Sequence, residues 1–226
     1  MKTKISKYIL KNLVLNEMAY PSTFNIEVFN NIRTFKGRKE YCDQRLQKIA
    51  SGSSRIVYKI DDDKCLKLAK NTKGLAQNDV EIYNSFIRDY LGAEIYNYSK
   101  NGEWLEMQLA RKAKKSDFKR ITGYTFDVIS QYIAHCYNEY GRGTMYCDQQ
   151  LTKLFNKWWR EGTDEFYDSI FGDLYGYLLN STLEAVGDLQ RISSWGIVTD
   201  ENGEDRLVII DYGLDYEVWR KYYCRR

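Results

Sequence analysis

The hydrophobic pattern of this chain is mostly strand-like before residue 109 and mostly helical after it, and this change limits most strongly how the chain can fold. Upstream of that point, short β-prone runs alternate with polar turns, a pattern typical of strands. Downstream, apolar and aromatic residues recur at helical spacing. The predicted strands are Leu46–Ala50, Arg55–Ile60, Cys65–Ala69, Glu94–Tyr98 and Trp104–Leu109. We therefore predict an α+β chain in which a sheet precedes a helical region.

The segments between the predicted strands favour antiparallel pairing. Asp61–Asp63 forms a short polar turn, and Asn101-Gly102 is a pair that favours a type I′ hairpin. One helix, Ala76–Tyr90, is predicted between the third and fourth strands because its apolar residues recur at helical spacing. The sheet is therefore expected to be five-stranded and antiparallel, with one accompanying helix.

The region after residue 109 is predicted to be mostly helical. Long stretches rich in aromatic residues cover Asp117–Tyr140, Asp148–Glu161 and Asp164–Ala185. Near the end, Gly196–Val198 and Leu207–Ile210 flank a polar Asn-Gly turn, which predicts one more small hairpin.

Composition argues against several classes of protein. The formal charge of +3 is too small to indicate a nucleic-acid partner by itself. Five widely spaced cysteines without a Cys-x-x-Cys pair indicate free thiols rather than a disulfide framework or zinc site. A single histidine, without the motifs of known hydrolases, disfavours hydrolytic schemes. No stretch approaches the roughly 20 apolar residues of a membrane span, so a cytoplasmic protein is expected.

A lysine and a glutamate are candidates for a functional ion pair. Lys67 stands among apolar residues of the third predicted strand, where a charge requires an anionic partner to offset its loss of hydration. Glu81 of the predicted helix can supply that partner, and such a pair would orient the ammonium toward nucleotide phosphates.

The loop between the first two strands consists of small residues, which allow backbone N–H groups to approach phosphate oxygens. Its residues are Ser51, Gly52, Ser53 and Ser54. With a single glycine, this loop taken alone is explained better as an ordinary hairpin.

Two aspartates flank the last predicted hairpin. Asp188 follows Gly187, and Asp211 is followed by Tyr212-Gly213. The hairpin between them can bring the two carboxylates close together. One could then orient a hydroxyl nucleophile while the other holds magnesium, as phosphoryl transfer requires.

The order of these features along the chain resembles the protein-kinase-like superfamily: a small-residue loop, a strand lysine, a helix glutamate, Gly-Asp and Asp-Tyr-Gly. The resemblance covers about residues 46–214. Gly187-Asp188 is similar to the Gly-Asp loop of aminoglycoside and related phosphotransferases, and Asp211-Tyr212-Gly213 resembles the magnesium-binding Asp-Phe-Gly. The chain is also similar to small kinase-like proteins of tailed bacteriophages, which would place it in the host cytoplasm.

The resemblance implies a two-lobed protein-kinase-like fold with a reduced helical large lobe. Residues 46–109 would form the nucleotide-binding small lobe, residues 110–226 the large lobe, and residues 1–45 an extension that packs on the small lobe. The implied function is an ATP-dependent phosphotransferase that uses Mg²⁺, or Mn²⁺, and transfers the γ-phosphate to a hydroxyl group of an unknown protein or small molecule.

The resemblance also implies a role for each matching residue. Lys67 would contact the α- and β-phosphates with Glu81 as its partner, Asp188 would be the catalytic base, and Asp211 would bind the metal. The backbone of Glu106–Leu109 would face adenine. The expected nucleotide-binding residues are Ser51, Gly52, Ser53, Ser54, Lys67, Glu81, Glu106 and Met107.

Three features depart from the family pattern. Val186 stands where histidine is usual, and Ser193 stands where an asparagine metal ligand is expected. Serine can ligate Mg²⁺ with a shorter reach, so Ser193 is the second candidate metal ligand. Few residues follow Gly213, so a platform that docks protein substrates is not expected.

Two other functions stay open. A nucleotide-binding pseudokinase would bind ATP and act as a protein-interaction module without transferring phosphate. A nucleic-acid-binding module would use the basic run Lys112–Arg120, but a solvated helix start explains such a run better.

Overall fold

The computed structural model describes residues 20–84, 91–140, 144–180, 188–200 and 202–224. Over these ranges the chain is α+β, with one five-stranded and one three-stranded sheet. The strands are β1 Gln47–Ser51, β2 Arg55–Lys59, β3 Lys64–Ala69, β4 Ile95–Tyr98, β5 Trp104–Gln108, β6 Arg111–Lys112, β7 Trp195–Thr199 and β8 Asp205–Ile209. The helices are α1 Ile26–Asn30, α2 Phe35–Arg45, α3 Thr72–Tyr83, α4 Lys115–Thr122, α5 Phe126–Glu139, α6 Gln149–Glu161, α7 Asp164–Tyr167, α8 Ile170–Asn180 and α9 Tyr216–Tyr222.

The larger sheet has the strand order β1-β2-β3-β5-β4, and each neighbouring pair is antiparallel. This confirms the prediction of a five-stranded antiparallel sheet. In the central strand, Lys67 lies opposite Val57 of β2 and Leu105 of β5. Because side chains alternate between the faces of a sheet, these three residues share one face, while Leu66 and Glu106 lie on the other.

Helices α1 and α2 cover the outer face of this sheet. Phe29 and Cys42 are fully buried against Tyr58, Leu66 and other apolar residues of the strands. Residues 20–45 of the predicted extension therefore pack on the sheet, whereas residues 1–19 lie outside the described ranges.

The inner face of the sheet is the face that carries Lys67 and Leu105. It packs against the helical region in one continuous core. Leu105 and Met107 of β5 belong to the same buried cluster as Phe118, Tyr132 and Trp195. Rings in this cluster meet mostly edge to face, a favourable arrangement for aromatic pairs. None of the helices in the described ranges has the length and apolar character needed to cross a bilayer.

The helical stretch predicted over Asp117–Tyr140 consists of two helices, α4 and α5. Helix α4 ends at Gly123, whose φ of 79° is left-handed, and α5 starts after Thr125, which accepts a hydrogen bond from Val128 N. A left-handed glycine followed by a side-chain cap ends one helix and begins the next.

Two other helix predictions need new bounds. The predicted helical stretch Asp164–Ala185 contains two separate helices, α7 and α8, and residues 181–187 lie outside the described part. The predicted helix Ala76–Tyr90 begins earlier, because Asn71 caps α3 through a hydrogen bond from Gly74 N, and residues 85–90 are likewise not described.

Both hairpins lie where they were predicted, but the type I′ turn predicted at Asn101-Gly102 is wrong. A type I′ turn requires a positive φ at both central residues. Gly102 has a φ of 67° and Gly203 one of 84°, but no other residue type has a positive φ in the described ranges. Among the described residues of each turn, only the glycine is in the left-handed region. The second hairpin, β7–β8, pairs with β6, a strand that the sequence did not indicate.

Gly74 permits a close approach of α3 to the loop between β1 and β2. A Cβ atom on this residue would lie 2.3 Å from Ser54 O. We expect Gly74→Ala to lower the free energy of unfolding by about 1–3 kcal/mol through overpacking, although alanine normally favours a helix over glycine by about 1 kcal/mol. Urea unfolding measures the change. Gly52→Ala, whose Cβ would lie 4.0 Å from its nearest neighbour, is the control, and equal midpoints for the two variants would contradict this close approach.

Candidate functional site

A buried ion pair joins the central strand to helix α3. Lys67 is 6% exposed, and its Nζ atom lies 2.6 Å from Glu81 Oε2. Nζ also donates a hydrogen bond of 2.5 Å to the backbone oxygen of Ile210. Strand β3 and helix α3 thus place both charges in the interior, where each offsets the cost of burying the other.

Arg55 extends this pair into a network. Its Nη1 atom lies 2.7 Å from Glu81 Oε1, so each oxygen of the fully buried Glu81 carboxylate faces one cation. Its Nη2 atom donates to Asp211 Oδ1. Arg55 was not predicted as a site residue, although it carries the same signal as Lys67, a charge that precedes apolar residues of a predicted strand.

Asp211 is held between the sheet and helix α3. It follows Ile210, whose carbonyl accepts from Lys67. The buried Tyr212 donates its hydroxyl to Glu81 O at 3.4 Å. A Cβ atom on Gly213 would lie 2.6 Å from Gln77 O, so the absence of a side chain allows the backbone to pass close to α3. These contacts leave the Asp211 side chain 55% exposed.

Asp188 lies near Asp211, before β7. Burial and the neighbouring Asp211 carboxylate raise the pKa of Asp188, and Arg191 opposes this rise. Arg191 Nη1 lies 3.1 Å from Asp188 Oδ1. Gly187 and Val186, the other two residues of the predicted catalytic loop, lie outside the described residues.

These residues line one cavity of about 680 Å³. The predicted residues among its walls are Ser51, Gly52, Ser53, Ser54, Lys67, Met107, Asp188, Ser193 and Asp211. Glu81 lies behind Lys67 and is fully buried. The structure thus brings into one place residues that the sequence separates by more than a hundred positions.

Glu106 does not join the cavity. Strand alternation turns its side chain to the outer face of the sheet, where it accepts from the Tyr20 hydroxyl. Burial there raises its pKa, against the hydrogen bond from Tyr20. The cavity is lined instead by Met107 to Ala110, which include the last three residues of the segment expected to face adenine.

The loop between β1 and β2 is anchored to the start of α3. The Ser54 hydroxyl donates to Gln77, Lys73 Nζ lies 2.9 Å from Ser53 Oγ, and Lys70 Nζ lies 2.9 Å from Gly52 O. Two lysines therefore stand at the loop.

Tyr223, after helix α9, also lines the cavity, and its hydroxyl accepts from Gln77 Nε2 at 3.3 Å. Neither Tyr223 nor the two loop lysines were predicted for this site. No sequence signal pointed to the C-terminal tyrosine.

The side chains that line the cavity include the types of oxygen ligand that Mg²⁺ prefers. Mg²⁺ is commonly held by one or two carboxylates together with substrate phosphates, and Asp188, Asp211 and the Ser193 hydroxyl all line this cavity. In the described part of the chain, no group of three or more His, Cys, Asp or Glu side chains is placed to hold a metal ion. Asp211, however, is already paired with Arg55.

The chain was compared with protein-family models, curated proteins and solved structures. No protein-family model matches the chain, and no curated protein matches it. One similar solved structure is a ternary complex of streptomycin, ATP and APH(2")-IIa, an aminoglycoside phosphotransferase. The identity is 15%, the match covers 81% of this chain and 72% of that chain, and the TM-score is 0.29. A TM-score this low supports no inference about fold or function.

Proposed function

We propose that this chain is an ATP-dependent phosphotransferase of protein-kinase-like fold, which transfers the γ-phosphoryl group of ATP to a hydroxyl acceptor. The observation that carries the proposal is the Lys67–Glu81 ion pair beside two aspartates in one cavity. Residues 46–109 form the small lobe, and residues 110–226 form the large one.

Lys67 binds the nucleotide phosphates. Its ammonium group lines the cavity, and the contacts with Glu81 and Ile210 O fix its direction. A positioned cation at this place attracts phosphate oxygens and needs no rearrangement on binding. The small-residue loop Ser51–Ser54 lines the same cavity, and Lys70 and Lys73 bind this loop through Gly52 O and Ser53 Oγ.

Asp188 acts as the base. The acceptor oxygen forms its bond to the γ-phosphorus as the bond to the ADP oxygen breaks, and the acceptor proton passes to the Asp188 carboxylate. The raised pKa of Asp188 makes its carboxylate a better proton acceptor than an ordinary aspartate. The acceptor itself is a hydroxyl of a protein or small molecule.

Asp211 and Ser193 are the proposed ligands of Mg²⁺ or Mn²⁺, which would supply charge neutralisation at the phosphates. In the structure, Asp211 is paired with Arg55 through its Oδ1 atom. This pairing favours a second candidate function, a pseudokinase that binds ATP and engages protein partners without transfer.

A thermal-shift titration with ATP tests the proposal. ATP at about 100 times its Kd should add ~2.7 kcal/mol to the free energy of unfolding. Lys67→Ala should abolish most of the shift because a principal phosphate contact is lost. The variant should fold, since Arg55 still pairs with Glu81.

Lys59→Ala is the matched control for this titration. Lys59 lies on the neighbouring strand and pairs with the exposed Asp62, so its loss should leave the shift unchanged. If folded wild type shows no shift, or if Lys67→Ala retains the full shift, the cavity does not bind ATP in the proposed way.

A further inference from the structure

The cavity contains a cation that the proposed function does not use. Arg55, on β2, is 8% exposed, and its guanidinium bridges Glu81 and Asp211. Its Nη1 atom also lies 3.4 Å from Asn78 Oδ1. Arg55 therefore has two partners on helix α3 and one, Asp211, at the cavity.

The charges of this cluster cancel without a metal ion. Lys67 and Arg55 are positive, and Glu81 and Asp211 are negative. Asp188, the carboxylate near Asp211, is paired with Arg191. A divalent cation on Asp211 would lie within a few ångströms of the guanidinium, because both would contact the same carboxylate. Two like charges at that separation repel strongly in a partly buried site.

We propose that Arg55 and a divalent metal ion are mutually exclusive partners of Asp211, so that Arg55 determines whether the carboxylate can hold a metal. The ligand is an oxygen-preferring cation such as Mg²⁺ or Mn²⁺. The meaning of this exclusion for phosphoryl transfer rests on the proposed function.

The contacts of Arg55 allow a metal ion to replace it at Asp211 without a larger rearrangement. Only Nη2 contacts Asp211, whereas Nη1 contacts Glu81 and Asn78. Arg55 can therefore release Asp211 while helix α3 still holds its other nitrogen. The buried Glu81 stays paired throughout, so the exchange does not require unfolding of the core.

Mn²⁺ titration of the nucleotide-free protein tests the exclusion, with the electron paramagnetic resonance signal of free Mn²⁺ as the readout. We expect Arg55→Gln to bind Mn²⁺ about tenfold or more tightly than wild type, because a like charge next to the ion is removed. Arg55→Lys, which keeps the charge, should resemble wild type. Adding Asp211→Asn to Arg55→Gln should cancel the gain.

Two results of this titration overturn the proposal. One is equal Mn²⁺ affinity for folded wild type and Arg55→Gln. The other is a gain that persists after Asp211→Asn, because the ion would then be bound elsewhere. Since no nucleotide is added, these results are independent of whether ATP binds, and a failure of the proposed function shows only in the ATP titration.

A measurement on wild type covers the case in which Arg55→Gln does not fold. Mg²⁺ is added while the Arg55 Nε–Hε signal and the Asp211 backbone signal are followed by nuclear magnetic resonance. Exclusion predicts that the two signals change together or that neither changes. A change at Asp211 with an unaltered Arg55 signal would overturn the proposal.

Discussion

Asp188→Ala is expected to lower phosphoryl transfer, or background ATP hydrolysis, by about 10²-fold or more, the usual scale for losing a general base. ATP affinity should stay close to that of wild type, because the ion-pair partner of Asp188 is Arg191 rather than Lys67. Single-turnover transfer and an ATP titration on the same sample measure the two effects. Mg²⁺ and Mn²⁺ should both be tried.

The stability of this variant supplies the control. The pKa of Asp188 is raised in the folded state by burial and by Asp211. For an acid with a raised pKa, the stabilising contribution of the protonated form is present below the unfolded pKa and is lost as pH rises through the folded pKa. At neutral pH the ionised Asp188 therefore opposes folding, and its removal should not lower the urea midpoint. A loss of turnover then reflects chemistry rather than unfolding.

Either of two results would change the function assigned to the site. Equal turnover by wild type and Asp188→Ala would place the chemistry elsewhere. If wild type binds ATP and neither transfers nor hydrolyses it with either metal, the pseudokinase proposal replaces the enzyme.

The rate of phosphoryl transfer by an active wild type should increase as pH rises through the raised pKa of Asp188, because the base must be ionised.

The strands could be predicted because their signals are local. Short β-prone runs and polar turns placed each strand of the larger sheet within one residue of its observed ends. The two-residue strand β6 has no period and was missed. The break between α4 and α5 was also missed, because the apolar spacing continues across it. Gly123 and Thr125 were its only local signs.

The site was predictable where a single residue carries the signal. A lysine within an apolar run must find an anion, so Lys67 and Glu81 could be paired from the sequence. Arg55 precedes the apolar residues of its strand, but its contact with Asp211 spans 156 positions and depends on how the strands and helices pack. The outward side chain of Glu106 likewise depends on register and on the helices that cover the sheet.

Glu81→Gln is expected to lower the free energy of unfolding by about 3–5 kcal/mol, the cost of breaking a buried ion pair. Glu81 is fully buried and faces both Lys67 and Arg55. Glutamine keeps the shape but removes the negative charge, so two buried cations lose their shared partner. The same change should weaken ATP binding, because Lys67 is no longer held in one direction. Urea unfolding measures the stability.

Glu161→Gln is the matched control for this stability loss. Glu161 is also a helix residue with a lysine partner, but its pair with Lys157 is 3.7 Å long and both side chains are at least half exposed. Exposed pairs of this kind contribute about 0.3–0.5 kcal/mol. The difference between the two variants therefore isolates burial of the Glu81 charge. If Glu81→Gln unfolds at the same urea concentration as Glu161→Gln, Lys67 and Arg55 do not depend on Glu81, and the network that defines the site is not formed in solution.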